Sequence, residues 1–168
     1  MAVSNLPNAA YIIESIMADL RQISIGNGYR TDLKAIELPS WSYEDRARFS
    51  QVETPALLLW LDSDVKGTTL SNHQELRPAL IFTVVGIVRR ADKLQEAMLL
   101  LSQDVRRVMM ANPQRNHPAN LTQANTWGVL TEEEGGVDFK VHRNEQGVTI
   151  GIFTSSWRVD YRYPIPAG

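Results

Sequence analysis

The apolar positions of this chain follow two periodicities, one typical of helices and one typical of strands. A helical spacing begins after Asn5 and runs to Ile23, and Gly26-Asn27-Gly28 is expected to end that helix, because glycine and asparagine tolerate the left-handed conformation. A second helical stripe of leucine, valine and methionine covers residues 92–110. We expect each helix to bury one face.

Several segments have the pattern of strands. Residues 55–61 and 74–90 predict strands that are covered on both faces, because apolar side chains occupy odd and even positions alike. In the last segment, 147–163, the apolar positions change parity near Ile152, which indicates either a β-bulge or two buried faces. Shorter strands are expected at 29–38, 126–131 and 137–143, with a turn over 132–136 and long connections at 39–54 and 113–125.

This order of elements, α-β-β-β-α-β-β-β, predicts a mixed α+β fold. We expect a largely antiparallel β-sheet with the two main helices packed on one side, in a single domain that spans residues 1–168. The length is sufficient for a proper core, and 43% hydrophobic with 21% charged residues is ordinary for a globular protein.

Charge and cysteine content exclude several classes of protein. The net charge of −2 argues against a general binder of nucleic acids or membrane surfaces. The absence of cysteine excludes disulfides and thiolate metal sites. No apolar run approaches the roughly 20 residues that a membrane-spanning helix needs.

One patch resembles a catalytic motif. Asp62, Asp64 and Lys66 follow an apolar strand, and together with Glu53 as an upstream acid they could hold Mg²⁺ and position a water for nucleic-acid cleavage. The same residue types also provide the solvation and turn geometry of a hairpin tip. We favour the hairpin tip and keep a small metal-dependent nuclease as the alternative.

The other polar clusters favour structural roles. Glu132-Glu133-Glu134 is expected to be a solvated turn, although in an oligomeric ring it could give a channel a negative surface. Arg106 and Arg107 project about 100° apart on a helix, so they do not form one phosphate site, and ion pairing is their default role. The chain has three histidines, His73, His117 and His142. None of them has a second potential ligand at metal-binding spacing. We therefore expect no catalytic residue, no metal site and no cofactor.

The connection at 39–54, called the arm below, is rich in aromatic residues. Trp41, Tyr43 and Phe49 lie among charged residues that include Arg46 and Arg48. A disordered linker would be poor in aromatics, and exposed apolar clusters mark binding surfaces. These five residues are therefore our candidates for a subunit or partner interface.

Four features of the chain belong together in their order. The first helix runs into Gly28-Tyr29-Arg-Thr-Asp-Leu33, a strand closes on Pro55-Ala-Leu-Leu-Leu, a long strand leads into a helix with Leu101-x-x-Asp104-Val-Arg106, and the last strand ends in Val159-Asp-Tyr-Arg-Tyr163. In these features the chain resembles the tail terminator proteins of tailed bacteriophages. The resemblance covers the whole chain in element order. It implies a non-enzymatic structural protein whose six copies form a ring.

Such a ring caps the head-proximal end of the tail tube, stops its polymerisation and presents a surface to the neck. The implied partners are other copies of the chain, the tail tube protein, a neck or head-completion protein, and a sheath protein in a contractile tail. Genomic DNA would only pass through the lumen, and no membrane is involved. The implied location is the virion tail or neck, after assembly in the cytoplasm of the host bacterium. A neck connector or tail completion protein is the closest alternative.

Overall fold

The computed structural model describes residues 8–65, 75–76, 79–111, 130–143, 147–160 and 163–164. In that part of the chain the elements are α1 (Asn8–Leu20), β1 (Ala35–Glu37), β2 (Ala56–Val65), β3 (Glu75–Leu76), β4 (Ala79–Val88), α2 (Leu94–Ala111), β5 (Leu130–Arg143), β6 (Thr149–Asp160) and β7 (Tyr163–Pro164). Two short 3₁₀ helices, Ile25–Asn27 and Arg46–Gln51, lie in the connections around β1.

The main sheet has five strands in the order β1-β2-β4-β6-β5. β1 runs parallel to β2, and all the other neighbouring strands are antiparallel. β3 and β7 form a separate antiparallel pair. The predicted α+β fold with a mixed, largely antiparallel sheet is therefore confirmed.

Both helices pack on the same face of this sheet, as predicted. Apolar side chains of α1 and α2 share one cluster with inward-facing residues of β2, β4 and β6, which we call the helix-side core. Its largest members include Ile12, Ile16, Leu20, Leu57, Phe82, Leu101, Phe153 and Trp157. This cluster forms because the helical stripes and the alternate strand positions present continuous apolar surfaces to each other.

The opposite face of the sheet is covered by the arm. Phe49 packs against Leu58, Val85, Ile87 and neighbouring isoleucines of β6, and this cluster is called the arm-side core. The arm thus supplies the second layer that the two-faced apolar pattern of β2 and β4 requires. A sheet buried on both faces explains why odd and even positions of these strands are apolar alike.

The strand β6 has two buried faces and no bulge of its own. It pairs with β4 in an unbroken register from Gly151 to Asp160. Ile150 and Ile152 belong to the arm-side core, whereas Phe153, Trp157 and Val159 belong to the helix-side core. The change of parity near Ile152 therefore reflects burial on both faces, the second of the two interpretations left open by the sequence.

Four local predictions are wrong. The strand β2 continues to Val65, so Asp62 and Asp64 lie on a strand and not at the expected hairpin tip. The first helix ends at Leu20, and Gly28 (φ 88°) instead ends the following 3₁₀ turn. The strand expected at 29–38 is reduced to Ala35–Glu37. Residues 132–136 are not a turn, because β5 continues through them and accommodates the extra residues in a register shift between Glu134 and Asp138. The expected strand residues 126–129 and the connection 113–125 lie outside the described residues.

Candidate functional site

The aromatic residues of the arm gather around one tryptophan of the sheet. The rings of Trp41 and Tyr43 meet the Trp60 ring edge-on, each at a centroid distance of 5.3 Å, and the Phe49 ring lies 6.1 Å from it. The indole N–H of Trp60 also donates to the main-chain oxygen of Trp41 at 3.2 Å. Edge-to-face contacts between aromatic rings are favourable. Together with the hydrogen bond, they attach the arm to the sheet of its own subunit.

The five interface candidates therefore differ in how much of each side chain is exposed to a partner. Phe49 is only 1% exposed and serves the arm-side core. Trp41 and Tyr43 are half-buried, so each retains some surface. Arg48 is exposed and pairs with Asp45 at 3.1 Å, while the side chain of Arg46 lies outside what the structure describes. The hypothesis that the arm forms an interface stays a prediction. It now depends on the exposed side of the arm, because Phe49 is buried within the subunit.

The candidate nuclease residues do not converge. Asp62 and Asp64 lie exposed near the end of β2, and Asp62 Oδ2 accepts a hydrogen bond from Thr83 Oγ1 at 2.6 Å. Glu53 precedes the opposite end of that strand, which begins at Ala56. Lys66 lies outside the described residues, as do His73 and His117. Within the part of the chain that is described, no three acidic or histidine side chains are placed to share a metal ion.

The acidic run on β5 forms ion pairs instead of a solvated turn. The guanidinium of Arg106 donates two hydrogen bonds to the carboxylate of Glu133, at 2.9 and 3.0 Å. Hydrogen bonding to Glu133 raises the pKa of Arg106, although desolvation of the guanidinium partly opposes this shift. Arg158 lies 3.8 Å from Glu134. The run therefore attaches β5 to α2 and β6 within the subunit.

Two of the four features that carry the resemblance, the 28–33 segment and the α2 motif around Asp104, lie next to each other. Asp104 of α2 is buried, and its carboxylate accepts a hydrogen bond from the main-chain N–H of Arg30 at 3.0 Å. Arg107 donates to the main-chain oxygen of Gly28 at 2.8 Å and lies over the Tyr29 ring at 4.9 Å. As predicted, Arg106 and Arg107 act at different places. Asp104 and Arg107 hold the segment after the first helix against α2.

An exposed apolar patch at the sheet edge was missed by sequence reasoning. Phe139 and Val141 of β5 are 44% and 52% exposed, and Leu99 of α2, at 46%, lies beside them. Together with Met98 they border a groove of about 480 Å³ between α2 and β5. The alternation of Val137, Phe139 and Val141 was the available signal, but it did not reveal that the strand would lie at an edge.

The structure defines an α+β protein whose main sheet is buried on both faces. Neither helix in the described residues is long and apolar enough to cross a membrane. Comparison with known proteins found no matching family model and no matching curated sequence.

Proposed function

We propose that this chain is a tail terminator: a structural virion protein whose six copies form a ring on the head-proximal end of the phage tail tube. The ring stops tube polymerisation and provides the attachment surface for the neck. Its partners are other copies of the chain, the tube protein, a neck or head-completion protein, and a sheath protein where the tail contracts. Genomic DNA passes through the lumen without a dedicated binding site.

The observation that carries the proposal is the contact between two of the four features that carry the resemblance. Asp104 of the motif Leu101-x-x-Asp104-Val-Arg106 is 74 positions from Arg30 of the 28–33 segment, yet its buried carboxylate accepts a hydrogen bond from the main-chain N–H of Arg30. A hydrogen bond to a buried carboxylate is costly to lose, so Asp104 has a structural reason to lie where the 28–33 segment passes α2. This supports treating the diffuse motifs as parts of one framework in the order that the resemblance implies.

Capping requires a surface that matches one end of the tube and a second surface that accepts no further tube subunit. The purified protein is expected to appear as sixfold rings with a central hole in negative-stain images. Added to polymerising tube subunits, it is expected to halt growth at one end without any cofactor. A compact monomer that leaves tube growth unchanged would contradict the proposal.

The arm offers a matched pair of variants for this experiment. Arg48 and Lys34 are both exposed cations, but only Arg48 lies on the arm. If the exposed side of the arm joins subunits, Arg48→Glu should abolish the rings, whereas Lys34→Glu should keep them. Equal ring formation by both variants would assign the subunit contact to another surface and leave the capping result to decide the function.

A further inference from the structure

A cleft at one end of the main sheet concentrates positive charge. It has a volume of about 300 Å³ and lies between the segment after α1, the start of β2, the end of β4 and one flank of α2. The charged residues of its lining are four cations and one carboxylate: Arg30, Lys34, Arg89, Arg90 and Asp32. The whole chain carries a net charge of −2, so this excess of positive charge is local and opposite in sign to the overall balance.

Two of the four cations are free to meet a partner. Within the described residues, no hydrogen bond or ion pair engages the side chain of Arg30 or Lys34, and both residues are exposed. The carboxylate of the lining is already engaged, because Asp32 Oδ1 accepts a hydrogen bond from the main-chain N–H of Ile25 at 2.7 Å. A carboxylate from outside therefore has two unpaired cations to bind.

The other two cations are engaged within the subunit, one of them loosely. Arg89 donates a hydrogen bond to the main-chain oxygen of Ser50, so its guanidinium is held beside the arm. Arg90 lies 3.9 Å from an oxygen of Asp92, which is a long ion pair between exposed groups. Such a pair is weak, so the Arg90 guanidinium still contributes to the positive potential of the cleft.

The main chain holds the two free cations in fixed places. The N–H of Arg30 donates to the buried carboxylate of Asp104 at 3.0 Å, and the N–H of Lys34 donates to the main-chain oxygen of Pro55 at 2.8 Å. These acceptors belong to α2 and to the residue that precedes β2, so both anchors are part of the packed fold. A site formed in advance loses less conformational freedom when it binds.

The rest of the lining is mostly apolar, with contributions from Ile25, Pro55, Val88, Ala97 and Leu100. Ile25 is 61% exposed, more than any other large hydrophobic residue of the described part of the chain. Cations beside an apolar floor match a ligand that carries both carboxylates and apolar side chains. Among the residues that line the cleft none is aromatic, so it lacks the stacking surfaces on which proteins hold nucleic-acid bases.

We propose that this cleft binds an acidic segment of a partner protein, in which carboxylates flank an apolar side chain. The carboxylates pair with Arg30 and Lys34, and the apolar side chain packs beside Ile25. A guanidinium can bind a carboxylate through two parallel hydrogen bonds, whereas the lysine ammonium acts as a point charge. The cleft is at the small end of ligand pockets, so it accepts a segment of chain and not a folded domain.

This site is complete within one subunit and needs no second copy. It does not depend on the terminator function, although a ring would repeat it on every subunit. Lys34→Glu is expected to keep the rings, so loss of segment binding and loss of ring formation are separate results.

Fluorescence anisotropy with synthetic peptides tests the cleft on the full-length protein. The probe is a short labelled peptide of glutamate and leucine, and its control is the same peptide with glutamine in place of glutamate. The glutamate peptide should bind more tightly, and its affinity should fall as salt is added, because salt screens exposed charges. Equal affinities for the two peptides, or no binding of either, would overturn the proposal.

Charge reversal of the two free cations shows whether the peptide binds in the cleft. The double variant Arg30→Glu with Lys34→Glu should bind the glutamate peptide about tenfold or more weakly, because two attractive contacts become repulsive. The matched control is Lys140→Glu with Arg143→Glu, which makes the same charge change at exposed positions of β5, an edge strand on the far side of the sheet from β1. This control should bind like the unmodified protein.

Circular dichroism melting would establish that each variant is folded, and Lys34→Glu against Lys140→Glu gives the same comparison if a double variant does not fold. Equal loss of affinity in the cleft variant and its control would show a response to net charge alone and would overturn the proposal. Displacement of the peptide by duplex DNA, at a lower concentration of phosphates than of competing peptide carboxylates, would also overturn it by assigning the cleft to nucleic acid.

Discussion

Asp104 shows how one buried polar residue can hold two distant segments together. The residue is 3% exposed, and its carboxylate accepts a hydrogen bond from the N–H of Arg30, which lies in the segment that connects α1 to the sheet. A buried acceptor of this kind stabilises the fold only while its donor is present, because an unpaired buried group keeps the full cost of desolvation. At the residue scale, specificity therefore comes from a few polar contacts within apolar surroundings.

Asp104→Ala is expected to lower the free energy of unfolding by about 1–3 kcal/mol, because it leaves the Arg30 N–H without its acceptor. Asp104→Asn keeps an oxygen acceptor of the same shape and should lose less. Urea unfolding of the three proteins measures the difference. Equal stability of the alanine variant and the unmodified protein would show that the hydrogen bond is not a structural link.

Gly86 is a second position where a single residue decides packing. It lies in β4 beside Phe153 of β6, and a Cβ at this position would overlap the Phe153 ring. Gly86→Ala should therefore cost about 1–3 kcal/mol, the usual range for overpacking a core. Gly136→Ala is the matched control, because its Cβ meets nothing within 4 Å. Thermal melting of both variants tests this, and an equal shift for the two would contradict the proposed overlap.

At the scale of elements, α2 shows how one helix serves two surfaces. Leu101 is fully buried in the helix-side core, whereas Leu99 is about half exposed beside β5. Leu101→Ala should cost about 2–5 kcal/mol in unfolding free energy, as large-to-small core changes do. Leu99→Ala on the same helix should cost much less. A loss below about 1 kcal/mol for Leu101→Ala would contradict its place in the core.

The arm is a structural layer of the subunit as well as a candidate interface. Because Phe49 packs on Leu58, Val85 and Ile87, Phe49→Ala should cost about 3–5 kcal/mol. Arg48→Ala removes only an exposed ion pair and should change stability little. Chemical unfolding distinguishes the two variants. Deletion of residues 40–50 should therefore destabilise the subunit itself, in addition to any effect on ring formation.

At the scale of the whole molecule, the proposed terminator must control the length of another assembly. Infection with a phage that lacks this gene is expected to give unjoined, full heads together with tubes of abnormal length, because nothing halts their growth. Electron microscopy of the lysate measures both. Tailless heads beside tubes of normal, uniform length would instead assign the protein to the neck.

The sequence alone predicted the fold class, because burial periodicity is a local property. The apolar stripe through Leu101 predicted α2 with both ends within about two residues of the observed ones. The apolar run before Asp62 predicted a strand covered on both faces. The sequence also indicated that the arm packs against something. It could not say that Phe49 would meet Val85, since two segments 36 residues apart in the chain are brought together only by the fold.

The candidate surfaces were less predictable than the fold. The continuation of β5 through Glu132–Glu134 depends on pairing with β6 and on Arg106, which no local pattern reveals. Likewise, Phe139 and Val141 have the alternation of an ordinary buried strand, and only their place at the sheet edge leaves them exposed. The sequence thus determined which faces are apolar, because the residue types and their spacing are fixed before the chain folds. The tertiary structure alone decided which of those faces are covered within the subunit, because coverage depends on strand order and on contacts between distant segments.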